Sequence, residues 1–394
     1  MKSVVTPEIM DSFTCALVLA AQVAMLRTLL RDWKPRLPVA LYRGTFLFLC
    51  SLWPILIYAC TLLLGRKDRT YLMPAWVRSS AVGFLLFWGA CSIASLAIYW
   101  IYKRMLQAVA KRGVSEGRRS LLRTAGVAAV ASPFAVLGFG AIVTRTAYRV
   151  EEVDVRIAGL HPDLEGMRIA QISDLHVSPF LSVKELGRVV DMTNELKPYL
   201  TVVTGDLISS AGDPVAETIR ELGRLRADHG ILGCLGNHEV YARTEAFTVT
   251  EAAKYGVNFL RHRGAEIRRG NGIVNVAGVD FQPFAMRGHY LERAEELVRT
   301  GMPNILLSHN PDVFPIAAKK GFDLTLAGHT HAGQVTVEIL HRNANMARFF
   351  TPYVAGLYES GGKSCYVNAG IGTIGMPVRI GAPPEITLIR LRKA

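Results

Sequence analysis

Seven residues able to bind metal fall in five short clusters along the second half of a 394-residue chain: Asp174 and His176, Asp206, Asn237, His309, then His329 and His331. Carboxylate, imidazole and one amide oxygen make a mixed N/O donor set, suited to borderline or hard divalent ions such as Mn, Fe, Zn or Mg. Seven donors exceed one tetrahedral or octahedral shell once water needs room, so two metal ions are the natural count. A carboxylate can bridge such a pair, and paired ions stabilise both the attacking and the leaving oxygen of an in-line displacement at phosphorus. The chemistry expected of this set is phosphoester hydrolysis.

Each cluster directly follows an apolar run: Met167 to Ile172, Leu200 to Val203, Gly230 to Leu235, Ile305 to Leu307 and Leu324 to Ala327. Short apolar runs flanked by glycine read as buried strands, and an open α/β sheet gathers its ligands at the carboxyl ends of its strands. The five ends are therefore expected to converge on one site. Ser182 and Glu185 have the spacing of a capping box, and Val183, Leu186, Val189, Val190 and Leu196 mark a helical face that stops at Lys197-Pro198. Strand, ligand loop, helix and strand over 167–206 make a βαβ unit. Further helices are expected over Pro214–Arg226, Thr244–Tyr255, Tyr290–Thr300 and Pro311–Lys320. His161, His229, His262, His289 and His341 lack a strand-end context and read as surface or structural histidines.

The other half of the chain is of a different kind. Residues 1–150 hold 19 of the 45 Lys and Arg against five of the 32 acids, whereas residues 151–394 are close to neutral. The ligand-bearing half thus lacks the basic excess that nucleic-acid binding calls for. The positive charge flanks four apolar stretches, about 13–30, 46–64, 80–101 and 124–143, each near the roughly 20 residues that cross a bilayer. Basic connections carry Arg31, Lys34 and Arg36, then Arg66, Lys67 and Arg69, then Lys103, Arg104, Lys111, Arg112, Arg118 and Arg119, and Trp33, Trp76 and Trp100 stand near span ends, where amphipathic rings favour the headgroup layer. Arg27 lies inside the first stretch and must snorkel. With the N-terminus outside, twelve Lys and Arg lie in inner loops and seven on the outer side, which favours an exterior second domain. Arg118 to Arg123, ahead of the fourth stretch, reads either as a twin-arginine export signal in an internal position or as a plain basic flank. The two cysteines of the second half, Cys234 and Cys365, imply no disulfide framework and no zinc ribbon.

Asp174-Leu175-His176, Gly205-Asp206, Gly236-Asn237-His238-Glu239, Ser308-His309 and Gly328-His329-Thr330-His331 resemble, in order and spacing, the blocks of the calcineurin-like metallophosphoesterases over about residues 160–394. Ser308 to Asp312, Gly328 to Gln334 and the tail Pro377 to Ile386 are similar to the membrane-associated bacterial branch of that superfamily. The resemblance implies an α/β fold, a four-layer αββα sandwich over 148–394, behind a four-helix transmembrane region over 1–147. It implies that Asp174, His176 and His331 hold one divalent ion, that Asn237, His309 and His329 hold a second, and that Asp206 bridges them. His238 would bind no metal; it would stabilise the phosphoryl oxygens and give a proton to the leaving alkoxide, a task suited to imidazole near neutral pH. The nucleophile would be a hydroxide bridging the two ions.

Departures from the wider family also inform. The Asp-Arg-Gly of the protein Ser/Thr phosphatases is replaced after Asp206 by Leu207-Ile208-Ser209-Ser210, so phosphoprotein substrates are not expected and that motif names no carboxylate partner for His238. Glu239 stands where many relatives have Asp and need not be a ligand. Residues 346–362 carry Phe349, Phe350, Tyr353, Leu357 and Tyr358, with Gly361-Gly362 as an expected hinge. This segment reads either as a loop packed on the sheet or as an apolar wall meeting lipid, in which case Arg379 and Arg348 would contact phosphate.

The reading that joins the two halves is a membrane-embedded, binuclear phosphodiesterase or phosphatase acting on a phosphoester substrate in or near the membrane, a lipid-linked one among the candidates. If the domain were cytoplasmic, the resemblance would point instead to a UDP-2,3-diacylglucosamine pyrophosphate hydrolase of lipid A biosynthesis. A membrane sensor or scaffold with a decayed enzyme domain would have lost ligands, and all seven are present. A transport unit would need more polar residues within the four spans. Metal identity, leaving group and oligomeric state are left open. The charge count makes one prediction: alkaline phosphatase fused after Ala394 should be active and a fluorescent protein fused there dark, whereas a bright fluorescent fusion would place the domain in the cytoplasm.

Overall fold

In the first half, the length and apolarity of the stretches decide the structure, because a backbone leaving water must satisfy its polar groups within its own helix. The computed structural model describes residues 7–34, 37–64, 73–110, 115–339 and 342–394. Arg36, Arg66, Lys67, Arg69, Lys111, Arg112 and His341 lie outside the described residues. The described residues divide into two units, one running up to Ile142 and taking in Gly375–Val378, the other made of Val143–Ile374 and Arg379–Ala394.

The first unit is four helices: α1 (Pro7–Thr28, prolonged by a wider turn over Leu29–Trp33), α2 (Val39–Leu64), α3 (Ala75–Ala110) and α4 (Glu116–Ile142). All four are long and apolar enough to cross a membrane. Each outruns the apolar stretch that announces it, because flanking residues such as Lys103, Arg104, Met105, Leu106 and Gln107 are good helix formers and continue the ladder. Fully buried Gln22 stitches three helices, donating to the Leu49 carbonyl at 2.6 Å and accepting from Trp88 Nε1 at 2.9 Å. Asp32 accepts from Tyr99 Oη at 2.6 Å and Lys103 Nζ at 2.7 Å, so the acid inside this basic region is compensated. Arg27 keeps to the exposed surface of its helix.

The second unit is built on two six-stranded sheets. In one, the strands run in the order Arg149–Ile157, Glu385–Lys393, Arg168–Ile172, Leu200–Val203, Ile231–Gly233 and Val257–Phe259. In the other the order is Gly356–Ser360, Lys363–Val367, Leu324–Ala327, Asn304–Leu307, Gly272–Gly278 and Arg263–Arg269. Successive side chains of a strand face opposite ways, and that alternation assigns the layers. Ile305 and Leu307 join Ile169, Leu200, Val202, Leu324 and Leu326 in a core between the sheets. Leu306, between them, packs instead with Val313 and Ala317 on the outer side of its sheet. On the outer side of the other sheet, Ile172 and Val203 meet Leu186, Val190 and Ile219 of the covering helices. The result is the helix, sheet, sheet, helix layering expected of an αββα sandwich.

Local signals account for most elements. The capping box forms, with Glu185 N donating to Ser182 Oγ at 3.2 Å and Ser182 N donating to Glu185 Oε2 at 2.7 Å, and opens the helix Val183–Glu195. That helix crosses between parallel neighbours Arg168–Ile172 and Leu200–Val203, which is the βαβ unit. The expected helices over Pro214–Arg226 and Thr244–Tyr255 shorten to Val215–Leu222 and Glu245–Lys254, and Pro311–Lys320 becomes a tight turn followed by the helix Phe314–Lys320.

Two expectations need correcting. Tyr290–Thr300 is no α-helix: Leu291 and Arg293 take left-handed backbone, at φ 57° and 60°, and only a short 3₁₀ turn forms at Ala294–Leu297. Buried side chains take the backbone groups a helix would have used. Asn275 Nδ2 donates to the Leu297 carbonyl at 2.8 Å, while Asn304 accepts from Arg299 N at 2.8 Å and donates to its carbonyl at 2.9 Å. Gly361-Gly362 is a two-residue hairpin turn rather than a hinge, because Ser360 pairs with Lys363 and both glycines take positive φ, 60° and 73°, the backbone such a turn requires.

Candidate metal centre

All five ligand clusters sit where their strands end. Asp174 and His176 follow Arg168–Ile172, Asp206 follows Leu200–Val203, Asn237 follows Ile231–Gly233, His309 follows Asn304–Leu307, and His329 and His331 follow Leu324–Ala327. Each strand delivers its loop to the same edge of the two stacked sheets. The loops then bond to one another, Asp174 N donating to the Gly205 carbonyl, His176 N to that of Asp206 and Gly328 N to that of His309. Asp174, His176, Asp206, His329 and His331 have left-handed backbone, with φ between 47° and 76°. Such conformations cost non-glycine residues about 1–3 kcal/mol each and persist only where surrounding structure enforces them.

Glycine gives the loops room. A Cβ on Gly236 would collide with Asp206 Oδ1, and one on Gly328 with Ser173 Oγ and Asp174 Oδ2. The glycine that opens the Gly-Asn-His-Glu run and the one that opens Gly-His-Thr-His are thus points where backbone lies against a ligand carboxylate.

Side-chain atoms converge in two neighbouring groups. Asp174, His176 and His331 form one, and Asp206, His309 and His329 the other, with the ligand atoms of each group within 4.8 Å of one another. Asp206 Oδ2 lies between them, 3.5 Å from His176 Nε2 and 3.0 Å from His309 Nε2. His331 Nε2 faces His176 Nε2 at 3.1 Å, and His329 Nδ1 faces His309 Nε2 at 3.2 Å. Asn237 Oδ1 is buried and has no hydrogen-bond partner, an orphaned oxygen of the kind a cation satisfies. His309 Nδ1 lies 2.6 Å from the Thr204 carbonyl and His176 Nδ1 3.2 Å from Ser209 Oγ, bonds that leave each Nε2 free to face inward. This donor set fits divalent cations, with Asp174, His176, Asp206, Asn237, His309, His329 and His331 all at hand.

His238 lies among them. With His176 and Asp206 it forms a further group within the same 4.8 Å reach, and its backbone N–H donates to Asp206 Oδ1 at 2.9 Å. Its Nδ1 meets the Ser209 carbonyl at 2.6 Å, and that carbonyl belongs to a turn whose Ser209 and Ser210 N–H groups are both held by Asp213 Oδ2. A fixed backbone oxygen therefore orients the imidazole. Burial pushes the His238 pKa down to about 4 against the upward pull of Asp206.

One residue departs from the role its sequence context suggests. Arg379 does not reach for phosphate: it is fully buried, and its guanidinium is spent on the carbonyls of Ala369, Gly370, Gly372 and Ala382, with Nη2 3.4 Å from His331 Nδ1. It knits the loop beneath His331. Arg348 is exposed. Glu239 proves to be a clamp, fully buried and accepting from Asp206 N at 3.0 Å, Leu207 N at 2.7 Å and Gly236 N at 2.8 Å. Its position three residues after a loop glycine is an N-terminal helix signal, the one sequence cue that pointed to it. Burial foremost, then the charge of Asp206, raises its pKa. Among the other histidines, His161 accepts from Asp163 N, and His229 packs on Tyr199 with ring centroids 4.5 Å apart, both structural roles.

These contacts can be tested at two positions. Glu239→Gln puts an amide N–H₂ against backbone donors, so metal affinity should fall roughly ten- to a hundredfold, as for other groups that orient ligands, which titration with Mn or Zn will read. The second position is His309. Burial opposes its charged form, but Asp206 and then Asp174 outweigh that and raise its pKa from 6.5 to about 10 in the metal-free centre. A raised pKa stabilises the metal-free fold fully below pH 6.5, and this contribution is lost as pH climbs through about 10. Metal must displace that proton, so affinity should rise with pH across this window and uptake near neutral pH should release a proton, measurable as heats that vary with buffer ionisation enthalpy.

Comparison with known proteins agrees with this geometry. Residues 167–333 match the calcineurin-like phosphoesterase family. A transmembrane protein with metallophosphoesterase domain from Danio rerio is 30% identical over 65% of this chain and 60% of its own length. An uncharacterized metallophosphoesterase of Campylobacter jejuni is 29% identical over 62% of this chain and 63% of its own. The chain thus spans about three-fifths of the length of these relatives. Among solved structures, the protein TT1561 of Thermus thermophilus aligns with 52% of this chain and 90% of its own, at 12% identity and a TM-score of 0.35. All five ligand blocks lie inside residues 167–333, the region that matches the calcineurin-like phosphoesterase family.

Proposed function

We propose that this chain is a membrane-anchored hydrolase of phosphoesters that works with two divalent metal ions. The observation that carries the reading is the position of Asp206 Oδ2 between the two groups of ligand atoms. Asp174, His176 and His331 would hold one ion, and His309, His329 and the orphaned Asn237 Oδ1 the other, with Asp206 shared. Such a pair supplies a nucleophile from water at neutral pH and positive charge for the phosphoryl oxygens.

The chain's own residues do the rest. Glu239 fixes the Asp206 and Asn237 loops to each other. His238, held through Nδ1 by the Ser209 carbonyl, presents Nε2 to the centre. Held neutral by burial in the free protein, it gains proton affinity when a phosphate charge arrives beside it, and can then protonate the leaving oxygen. The side of the membrane is read from the basic loops as exterior, which favours a substrate in or at the outer face of the bilayer. Four helices able to span a membrane support a substrate found there.

Full-length protein assayed with Mn on bis-p-nitrophenyl phosphate tests the reading. Metal-stimulated turnover should be lost in Asp206→Asn together with bound metal, and should fall about 10²- to 10⁴-fold in His238→Ala with metal retained. Wild-type turnover in Asp206→Asn would overturn it.

A further inference from the structure

Large apolar side chains stand out in water on two loops that flank the metal centre. The first leaves Phe281, whose ring lies 5.6 Å from that of His329 and 6.0 Å from that of His309, and is pinned where Asn310 Nδ2 donates to the Gln282 carbonyl. The second follows the Gly-His-Thr-His run and is pinned where Thr330 Oγ1 donates to the Val354 carbonyl. Asp312 joins the two, accepting from Thr351 Oγ1 and lying 3.8 Å from Arg287. From these roots Phe284 is 63% exposed, Met286 50%, Met346 67%, Phe349 82% and Phe350 71%. His329, between the loops, is the exposed member of the ligand set.

We propose that these two loops are a footing that seats the domain on the headgroup layer of a bilayer and brings lipid phosphoesters to the metal centre; the second clause rests on the hydrolase reading above. Exposed apolar groups gathered in one place mark an interaction surface, and the character of this one selects lipid. The apolar groups sit on two separate loops. Arg287 and Arg348 are exposed among them, the Arg287 guanidinium lying 5.4 Å from the Phe284 ring centroid. Asp312, the acid beside Arg287, is 6% exposed and already engaged. Apolar tips with cations beside them suit an interface whose phosphates are anionic and whose interior is hydrocarbon. The four membrane helices of the same chain keep a bilayer at hand.

Full-length protein in nanodiscs of phosphatidylcholine with phosphatidylglycerol provides the test. An environment-sensitive dye on Phe349→Cys, in a Cys50→Ser background because the other thiols are buried, should be blue-shifted and quenched several-fold more by lipids spin-labelled near the headgroup than the same dye on Lys254→Cys. Quenching equal at the two positions would overturn the footing. So would a blue shift without lipid quenching, which would mean a protein covers the loops. Turnover gives a second reading. The double variant Phe349→Ser, Phe350→Ser should keep bis-p-nitrophenyl phosphate turnover within about twofold while hydrolysis of a diacylglyceryl p-nitrophenyl phosphate in the same bilayer falls tenfold or more. Equal loss on both substrates would overturn the footing; wild type inert on both would overturn the hydrolase reading alone, because quenching needs no turnover.

Discussion

Two carboxylates taken out of water at the meeting of two sheets set the terms for the rest of the domain. Asp174 is fully buried and Asp206 nearly so, and an isolated carboxylate in such a place is too costly to remain ionised. Burial drives the Asp206 pKa up, yet the charge of His309, with hydrogen bonds from His176 and His309, outweighs it and holds it well below the usual range. The charge is kept, and with it a demand for cations that a proton on His309 meets when metal is absent. Divalent ions would answer the same demand with more charge, so metal binding and folding at this centre would draw on the same electrostatics.

Keeping that charge in place falls to groups with no part in the chemistry. Five ligand residues sit in left-handed backbone, and the loops that bear them are short, so the enforcement comes from below. Glu239 gathers three backbone N–H groups from two loops. Arg379 gathers four backbone carbonyls from another. One anion collects donors and one cation collects acceptors, and the ligand loops are stretched between them. Both lie wholly inside the protein, where a charged hydrogen bond is strongest and a missing partner most damaging.

What the sequence made legible was whatever is encoded within a few residues. Val202 and Val203 before Gly205-Asp206, or Leu326 and Ala327 before Gly328-His329, announce strand and ligand together because apolar run, glycine and donor are adjacent. The capping box at Ser182 is equally local. Roles set by distant backbone were opaque: Arg379 is a residue type that binds phosphate, and becomes an internal strut because it meets the carbonyls of Ala369, Gly370, Gly372 and Ala382. Tyr290–Thr300 carries helical spacing, yet Asn275 and Asn304 on neighbouring strands claim its carbonyls and amides first. The partner of His238 is a peptide oxygen, that of Ser209, which no side-chain motif can reveal.

The strand Glu385–Lys393 lies inside its sheet, parallel to Arg149–Ile157 on one side and antiparallel to Arg168–Ile172 on the other. Its neighbours are the earliest strands of the domain, so the sheet cannot close until nearly the whole domain has been synthesised. Contacts of such long sequence separation form slowly, and until they form, the strand edges they will cover stay open to other chains. The Glu385 N–H that donates to the Gly370 carbonyl couples this late closure to the loop gripped by Arg379. During biosynthesis, then, the four long helices are made before the centre can close, and any metal would enter only once residues 385–393 have joined the sheet.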